Sequence, residues 1–263
     1  MNNNPLVTIV TPVYNGEKFI EQTILSVINQ TYTNIQYIII DGQSSDNTIK
    51  IINKFLNKID HFSSEKDKGM YDALDKGFKL GKGKYFAWIN ADDFYFTDAV
   101  EKSVDYMEKN KFEWIVGNPS TLNNKNKLIT RNPYYYPNFI IKNGLSIPCF
   151  WGYIPQESSI FSKELYLKSG GINKNYKYAG DFDLWKKFSN YSDLKTVPIK
   201  IGVFRKRIGQ LSSDQESYLK EINKIYCYIP IGKIFRLIYS NILNFYVILK
   251  KYLLNWNINF LYF

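Results

Sequence analysis

The chain has 263 residues, 34 of them basic and 24 acidic, with one histidine, His61, and two cysteines, Cys149 and Cys227. A single histidine excludes a His-rich zinc site, and a Ser-His-Asp or Cys-His arrangement would need His61, which stands in a polar stretch with no nucleophile motif beside it. Two cysteines without ligand spacing exclude a disulfide framework and fit a reducing, cytoplasmic setting, so acid and base work falls mainly to carboxylates.

The formal charge of +10 suits nucleic acid, an anionic membrane surface or an acidic substrate. No long Lys/Arg block or nucleic-acid motif occurs, so no nucleic-acid partner is expected. No signal peptide is expected before the first strand. Residues 6–11 are an apolar, β-branched strand, 12–16 a turn, and 17–29 a helix with Phe19, Ile20, Ile24, Leu25, Val27 and Ile28 at helical spacing. Residues 35–40 form a second apolar strand ending at Asp41-Gly42. Asp46 or Asn47 caps the next helix, which carries Ile49, Ile51, Ile52, Phe55 and Leu56. The order β-α-β-α predicts an α/β fold with a mostly parallel sheet flanked by helices. Neither G-x-G-x-x-G nor G-x-x-x-x-G-K-[ST] is present, so neither common phosphate loop serves it.

A helix over 71–80 leads to an aromatic, β-branched strand at 84–89, and this strand stops at Asn90-Ala91-Asp92-Asp93. Ligands in open α/β sheets bind at the carboxyl ends of the strands, where this spacing delivers the two acids. Adjacent carboxylates repel each other unless a cation sits on them, and hard oxygens suit Mn²⁺ or Mg²⁺. The alternative is that one of them caps the helix starting near Thr97. Beyond this point the pattern is irregular, with Asn- and Lys-rich turns at 123–127 and an aromatic stretch, Tyr134-Tyr135-Tyr136-Pro137.

Three segments, "TIVTPVYNGEKFIEQTILSVINQTYTNIQYIIIDGQSSDNT", "SSEKDKGMYDALDKGFKLGKGKYFAWINADD" and "IPQESSIFSKELYLKSGGINKNYKYAGDFDLWKKFS", closely resemble in that order the signature regions of family 2 glycosyltransferases. The resemblance covers about residues 6–215 and implies a GT-A fold and transfer of a sugar from a nucleotide diphosphate donor with inversion. It implies that Thr11, Pro12 and Tyr14 line the base pocket and that Asp41 accepts the imide N–H of the base. Asp41 serving only to shape the turn is the alternative. Asp67, Lys68 and Asp72 would approach the nucleotide or form a solvated loop, Asp92 would stand near the ribose, and Asp93 would hold the metal. Asn90 replaces an acid found in many relatives, so one strong carboxylate would hold the ion and metal affinity should be modest. Gln156 and Glu157 match the loop over donor and acceptor, and Asp181 matches the general base. Gly180 stands where many relatives have Glu, and Asp183 is the competing candidate for the base. Arg205 and Arg207 match an Arg-x-His element in which Arg207 takes the place of His.

The resemblance implies a UDP-hexose or UDP-N-acetylhexosamine donor and a glycan or lipid-linked acceptor in surface polysaccharide synthesis. A catalytically weak sugar-binding relative and a sugar-phosphate nucleotidyltransferase are the alternatives. The organisation expected is a transferase domain over 1–224, with a nucleotide half at about 1–116 and an acceptor half at about 117–224, followed by a tail at 225–263. That tail carries Lys233, Arg236, Lys250 and Lys251, no acid, and a broad apolar face including Ile234, Ile238, Phe245 and Trp256. Its uncharged run, 237–249, is short of the ~20 residues that span a bilayer. A helix lying on the cytoplasmic face of the inner membrane, packing on the domain, or a homodimer contact would each cover that face.

Overall fold

Continuous β-branched runs that bury on both faces make the centre of the sheet. In the computed structural model, which describes residues 4–132, 134–147, 151–207 and 209–225, strand β1 (Val7–Val13) is buried along its whole length. It pairs in parallel with β2 (Ile35–Asp41) on one side and β4 (Tyr85–Trp88) on the other, and β3 (His61–Ser64) adds in parallel outside β2. The crossovers are α1 (Ile20–Ile28), α2 (Thr48–Asn53) and α3 (Met70–Leu80). The expected alternation is therefore present, with two shifts of boundary. Helix α1 starts at Ile20 because the Gly16 carbonyl accepts from both Phe19 and Ile20 in a preceding turn. Strand β1 runs on to Val13, where the Val13 carbonyl takes the Gly42 N–H beyond the end of β2.

After β4 come β5 (Phe94–Tyr95), α4 (Ala99–Asn110), β6 (Trp114–Leu122), β7 (Leu128–Thr130) and α5 (Asn138–Lys142). Then follow β8 (Ser159–Ser162), α6 (Lys163–Lys168), α7 (Gly180–Phe188), β9 (Lys195–Arg205) and α8 (Gln215–Ile225). The sheet order is β3-β2-β1-β4-β8-β6-β9-β5, with β7 paired on β6. Strand β8 is antiparallel to both neighbours, whereas β6 and β9 are parallel. The irregular stretch after 116 thus contains a hairpin, β6–β7, whose turn is the predicted Asn/Lys segment, with Asn126 in the left-handed region.

Two apolar layers cover the sheet. One gathers Ile9, Ile20, Ile24, Ile39, Val100 and Val104, and the other is aromatic, with Trp185 stacked between Trp88 and Trp114 at 5.5 and 5.2 Å. Leu184 and Trp185 are thus core. Helix α3 lies so close to β1 that a Cβ on Gly77 would stand 2.4 Å from Val10 Cγ1. This close approach brings the start of α3 over the carboxyl ends of β1 and β2.

The chain divides after Ile225, and the tail read from the sequence lies beyond it, outside the described residues. No helix among the described residues is long and apolar enough to cross a membrane.

Candidate active site

Asp92 and Asp93 follow the end of β4, as their spacing predicted, and β9 comes back to meet them. The Arg205 N–H donates to Asp93 Oδ1 at 2.8 Å and Arg205 Nε donates to the Asp92 carbonyl at 2.9 Å. Arg207 Nε donates to Asp92 Oδ2 at 2.6 Å, and Gln210 Nε2 donates to the Arg205 carbonyl at 2.6 Å. Basic residues placed far along the chain therefore sit on the two acids. The Arg205 guanidinium lies over the rings of Phe19 and Phe94, at 4.8 and 5.5 Å, and bonds Gln22, so it braces the Asp92 loop. Arg207 is about two-fifths exposed and pairs with Asp92 through Nε.

Asp93 is only 1% exposed, so this strand-end acid is part of the buried interior. Burial, with Asp92 and Glu157 close by, holds its carboxyl well above the usual range. Its Oδ2 and Asn90 Oδ1 are buried without a hydrogen-bond partner among the described residues. No described residue donates to Asp92 Oδ1. These are hard oxygens in one short segment. Among the described residues no three His, Cys, Asp or Glu side chains gather into a metal cage, so the protein supplies at most two carboxylates here. That set fits a Mg²⁺- or Mn²⁺-type ion, which completes its shell with substrate phosphates.

At the nucleotide end, four of the expected positions are enclosed. Asp41 is fully enclosed: Ser44 donates to it through its N–H and hydroxyl, and the Ser64 hydroxyl donates at 2.6 Å. It fastens the turn after β2. Thr11 is also enclosed, its hydroxyl on the Tyr37 hydroxyl at 3.1 Å, and Pro12 is buried beside it. Asp72 accepts the Lys68 N–H at 3.1 Å across the start of α3, a capping contact, while Lys76 and Lys174 stand 3.9 Å away. Left at the surface are Tyr14, 66% exposed, the Lys68 side chain, and Asp67. Asp67 Oδ1 takes the Gly69 N–H at 2.8 Å, and its Oδ2 lies against Gly42, 2.7 Å from where a Cβ would be. Asp46 is a turn fastener too, accepting from Thr48 and Glu17.

Asp181 sits in the first turn of α7. Its Oδ1 accepts from the Phe182 N–H at 2.8 Å and from the Tyr71 hydroxyl at 3.1 Å, and no other described residue donates to Oδ2. Burial pushes its carboxyl up to about 6, against the lowering effect of those two donors. Glu157, in the 3-10 turn Gln156–Ser158, is 5% exposed and pushed up to about 7, by burial first and then by the charge of Asp181. The turn is pinned to β9, where a Cβ on Gly202 would lie 2.0 Å from the Glu157 carbonyl. Both amide atoms of Gln156 are buried without a partner among the described residues, a deficit a bound ligand would relieve. Asp183 is engaged elsewhere, 2.6 Å from Lys187 Nζ.

Sequence reading missed Tyr71, Gln210, the two serines on Asp41, and Glu221. Glu221 of α8 accepts three consecutive N–H groups, of Lys177, Tyr178 and Ala179, and so fixes the loop that delivers Asp181. Only Ser44 had a local signal, as the partner three residues beyond an Asp in a turn.

The glycosyl transferase family 2 model matches residues 8–167. An uncharacterised glycosyltransferase of Haemophilus influenzae is 30% identical over 85% of this chain and 74% of its own length. WfgD of Escherichia coli, a UDP-Glc:α-D-GlcNAc-diphosphoundecaprenol β-1,3-glucosyltransferase, is 33% identical over 45% of this chain, and the match spans 47% of that protein. The mannosyltransferase PcManGT of Pyrobaculum calidifontis, solved with GDP-Man and Mn²⁺, superposes with a TM-score of 0.64 at 16% identity, over 88% of this chain and 66% of that one. A mixed, mostly parallel sheet without a phosphate loop, acids at the end of β4 and a family match over more than half of the length agree with one another: the chain belongs to glycosyl transferase family 2, nucleotide-sugar glycosyltransferases of GT-A fold.

Proposed function

We propose that the chain moves a sugar, with inversion, from a UDP-sugar to a glycan or lipid-linked acceptor, with Asp181 as the general base. The observation that carries this is the asymmetry of the Asp181 carboxylate, whose Oδ1 holds two donors while Oδ2 is left for substrate. A carboxyl near 6 is ionised at neutral pH yet far more basic than an ordinary Asp, as a base working there needs. The acceptor hydroxyl gives its proton to Oδ2 as its oxygen attacks the anomeric carbon. The bond from that carbon to the diphosphate oxygen breaks on the opposite face, and its electron pair leaves with the diphosphate. Because the base acts ionised, turnover should fall as pH drops through about 6.

Asp92 and Asp93 would hold a Mn²⁺ or Mg²⁺ ion, Asp92 through its open oxygen and Asp93 through Oδ2. When bound, such an ion neutralises charge on the leaving diphosphate. Arg207 adds a second positive charge at the same end of the cleft.

For the base, Asp67 Oδ2 beside Gly42 replaces Asp41 as the acceptor, with Tyr14 flanking the ring. A carboxylate accepts the imide N–H of uracil and rejects cytosine, whose ring nitrogen there is itself an acceptor. The UDP-Glc specificity of WfgD supports uracil over guanine. Its lipid diphosphate acceptor, and the basic, apolar tail here, support an acceptor held at the cytoplasmic face of a membrane. Calorimetry with UDP, GDP, CDP and ADP tests the donor: UDP should bind tightest. Equal or tighter GDP binding would overturn the assignment to UDP-sugars.

A further inference from the structure

Tyr71 lies 110 residues from Asp181 in sequence and touches it in space. Its ring is buried, and its hydroxyl stands 3.1 Å from both Asp181 Oδ1 and the Tyr178 carbonyl. A Cβ on Gly180 would come within 2.7–2.8 Å of three atoms of that ring. The absence of a side chain at 180 is thus what admits the ring, and the ring is what brings a donor to the carboxylate. We propose that Tyr71 is a positioning residue for the general base, seated in the space that Gly180 leaves open and holding Asp181 by Oδ1 so that Oδ2 points to the acceptor.

This rests on the reading of Asp181 as the base. The Phe182 N–H and the Tyr71 hydroxyl converge on one oxygen, and two donors on one oxygen fix the plane of a carboxylate better than either alone. The phenol has one proton and two acceptors. It serves the ionised carboxylate, and once Asp181 has taken the acceptor's proton the same O–H can turn to the Tyr178 carbonyl without moving a heavy atom. Burial and the Asp181 charge keep the phenol neutral, so it remains a donor throughout.

Other groups also act on Asp181. Glu221 of α8 is an acid whose charge raises it, Glu157 of the 3-10 turn is an acid whose own carboxyl the Asp181 charge raises, and Tyr218 of α8 is a buried, neutral phenol close by. Tyr71 differs from these acids in favouring the ionised form. Removing its hydroxyl should therefore move the acidic limb upward, whereas removing the Glu221 charge would move it downward.

The test is Tyr71→Phe, which keeps the ring against Gly180 and removes one oxygen, run beside Asp181→Asn on the full chain with a UDP-sugar donor. The expected result is unchanged UDP affinity and melting temperature, kcat lower by roughly tenfold below pH 7, and an acidic limb raised by about one pH unit. The loss should shrink toward pH 8. A uniform loss across pH, or a limb that stays where it was while Asp181→Asn is inactive, would reduce Tyr71 to a packing residue and leave the base assignment standing. Turnover retained by Asp181→Asn would remove the base assignment and this role together.

Discussion

Asp181→Asn is expected to bind UDP as the native protein does and to lose about 10²–10⁴-fold in transfer, the usual worth of general base catalysis. The amide is nearly isosteric, and its oxygen can still accept from Phe182 and Tyr71, so α7 and the loop fixed by Glu221 should stay in place. It cannot take a proton from the acceptor. Calorimetry with UDP and steady-state transfer assays on the same preparation separate the two effects. Asp183→Asn is the control, since it breaks an ion pair with Lys187 and leaves the Asp181 contacts intact. It should lower the melting temperature while turnover persists. An inactive Asp183→Asn beside an active Asp181→Asn would reverse the assignment.

The second large effect is expected at the end of β4. Asp92→Ala should cost on the order of 10²-fold or more in turnover, because an electrostatic clamp on a leaving diphosphate acts mainly in the transition state. The fold should survive, since only Arg207 and Gln210 hold that carboxylate. Asp93→Ala should lose turnover and also stability. It strands the Arg205 N–H inside the protein, which costs about 1–3 kcal/mol and lowers the melting temperature by several degrees. Asp93→Asn keeps that acceptor and so isolates the role of Asp93 toward the ion. Titrating Mn²⁺ against each variant, with thermal melts in parallel, reads both effects. Full activity of the native protein in excess chelator would remove the ion from the account and leave Arg207 as the cation on the diphosphate.

These two sites show where the sequence was legible. Period and turn chemistry located β1, α1, β2 and β4, because each buries a continuous or one-sided apolar run. The same run dropped Asp92 and Asp93 at a strand end. What could not be read was how distant segments close on those residues. That Asp41 is sealed depends on Ser64 arriving from β3, and that Arg205 is a brace depends on Phe19 and Phe94 flanking its guanidinium. Strand β8 inserts antiparallel between β4 and β6, a pairing set by crossover geometry to which hydrophobic period is blind. The resemblance named Asp41 and Asp93 as ligands, but which neighbours close over them is a property of the packed neighbourhood and a motif does not contain it.

The anomeric configuration of the product tests the central claim most directly. One carboxylate held by Oδ1, with Oδ2 turned to the acceptor, accounts for a direct displacement in which the base serves only the acceptor. Nuclear magnetic resonance of the native chain turning over α-linked UDP-hexoses with Mn²⁺ and a glycan acceptor should show UDP released and a β-linked product. A retained α linkage, or no turnover of any nucleotide sugar by folded protein that binds UDP, would contradict the account.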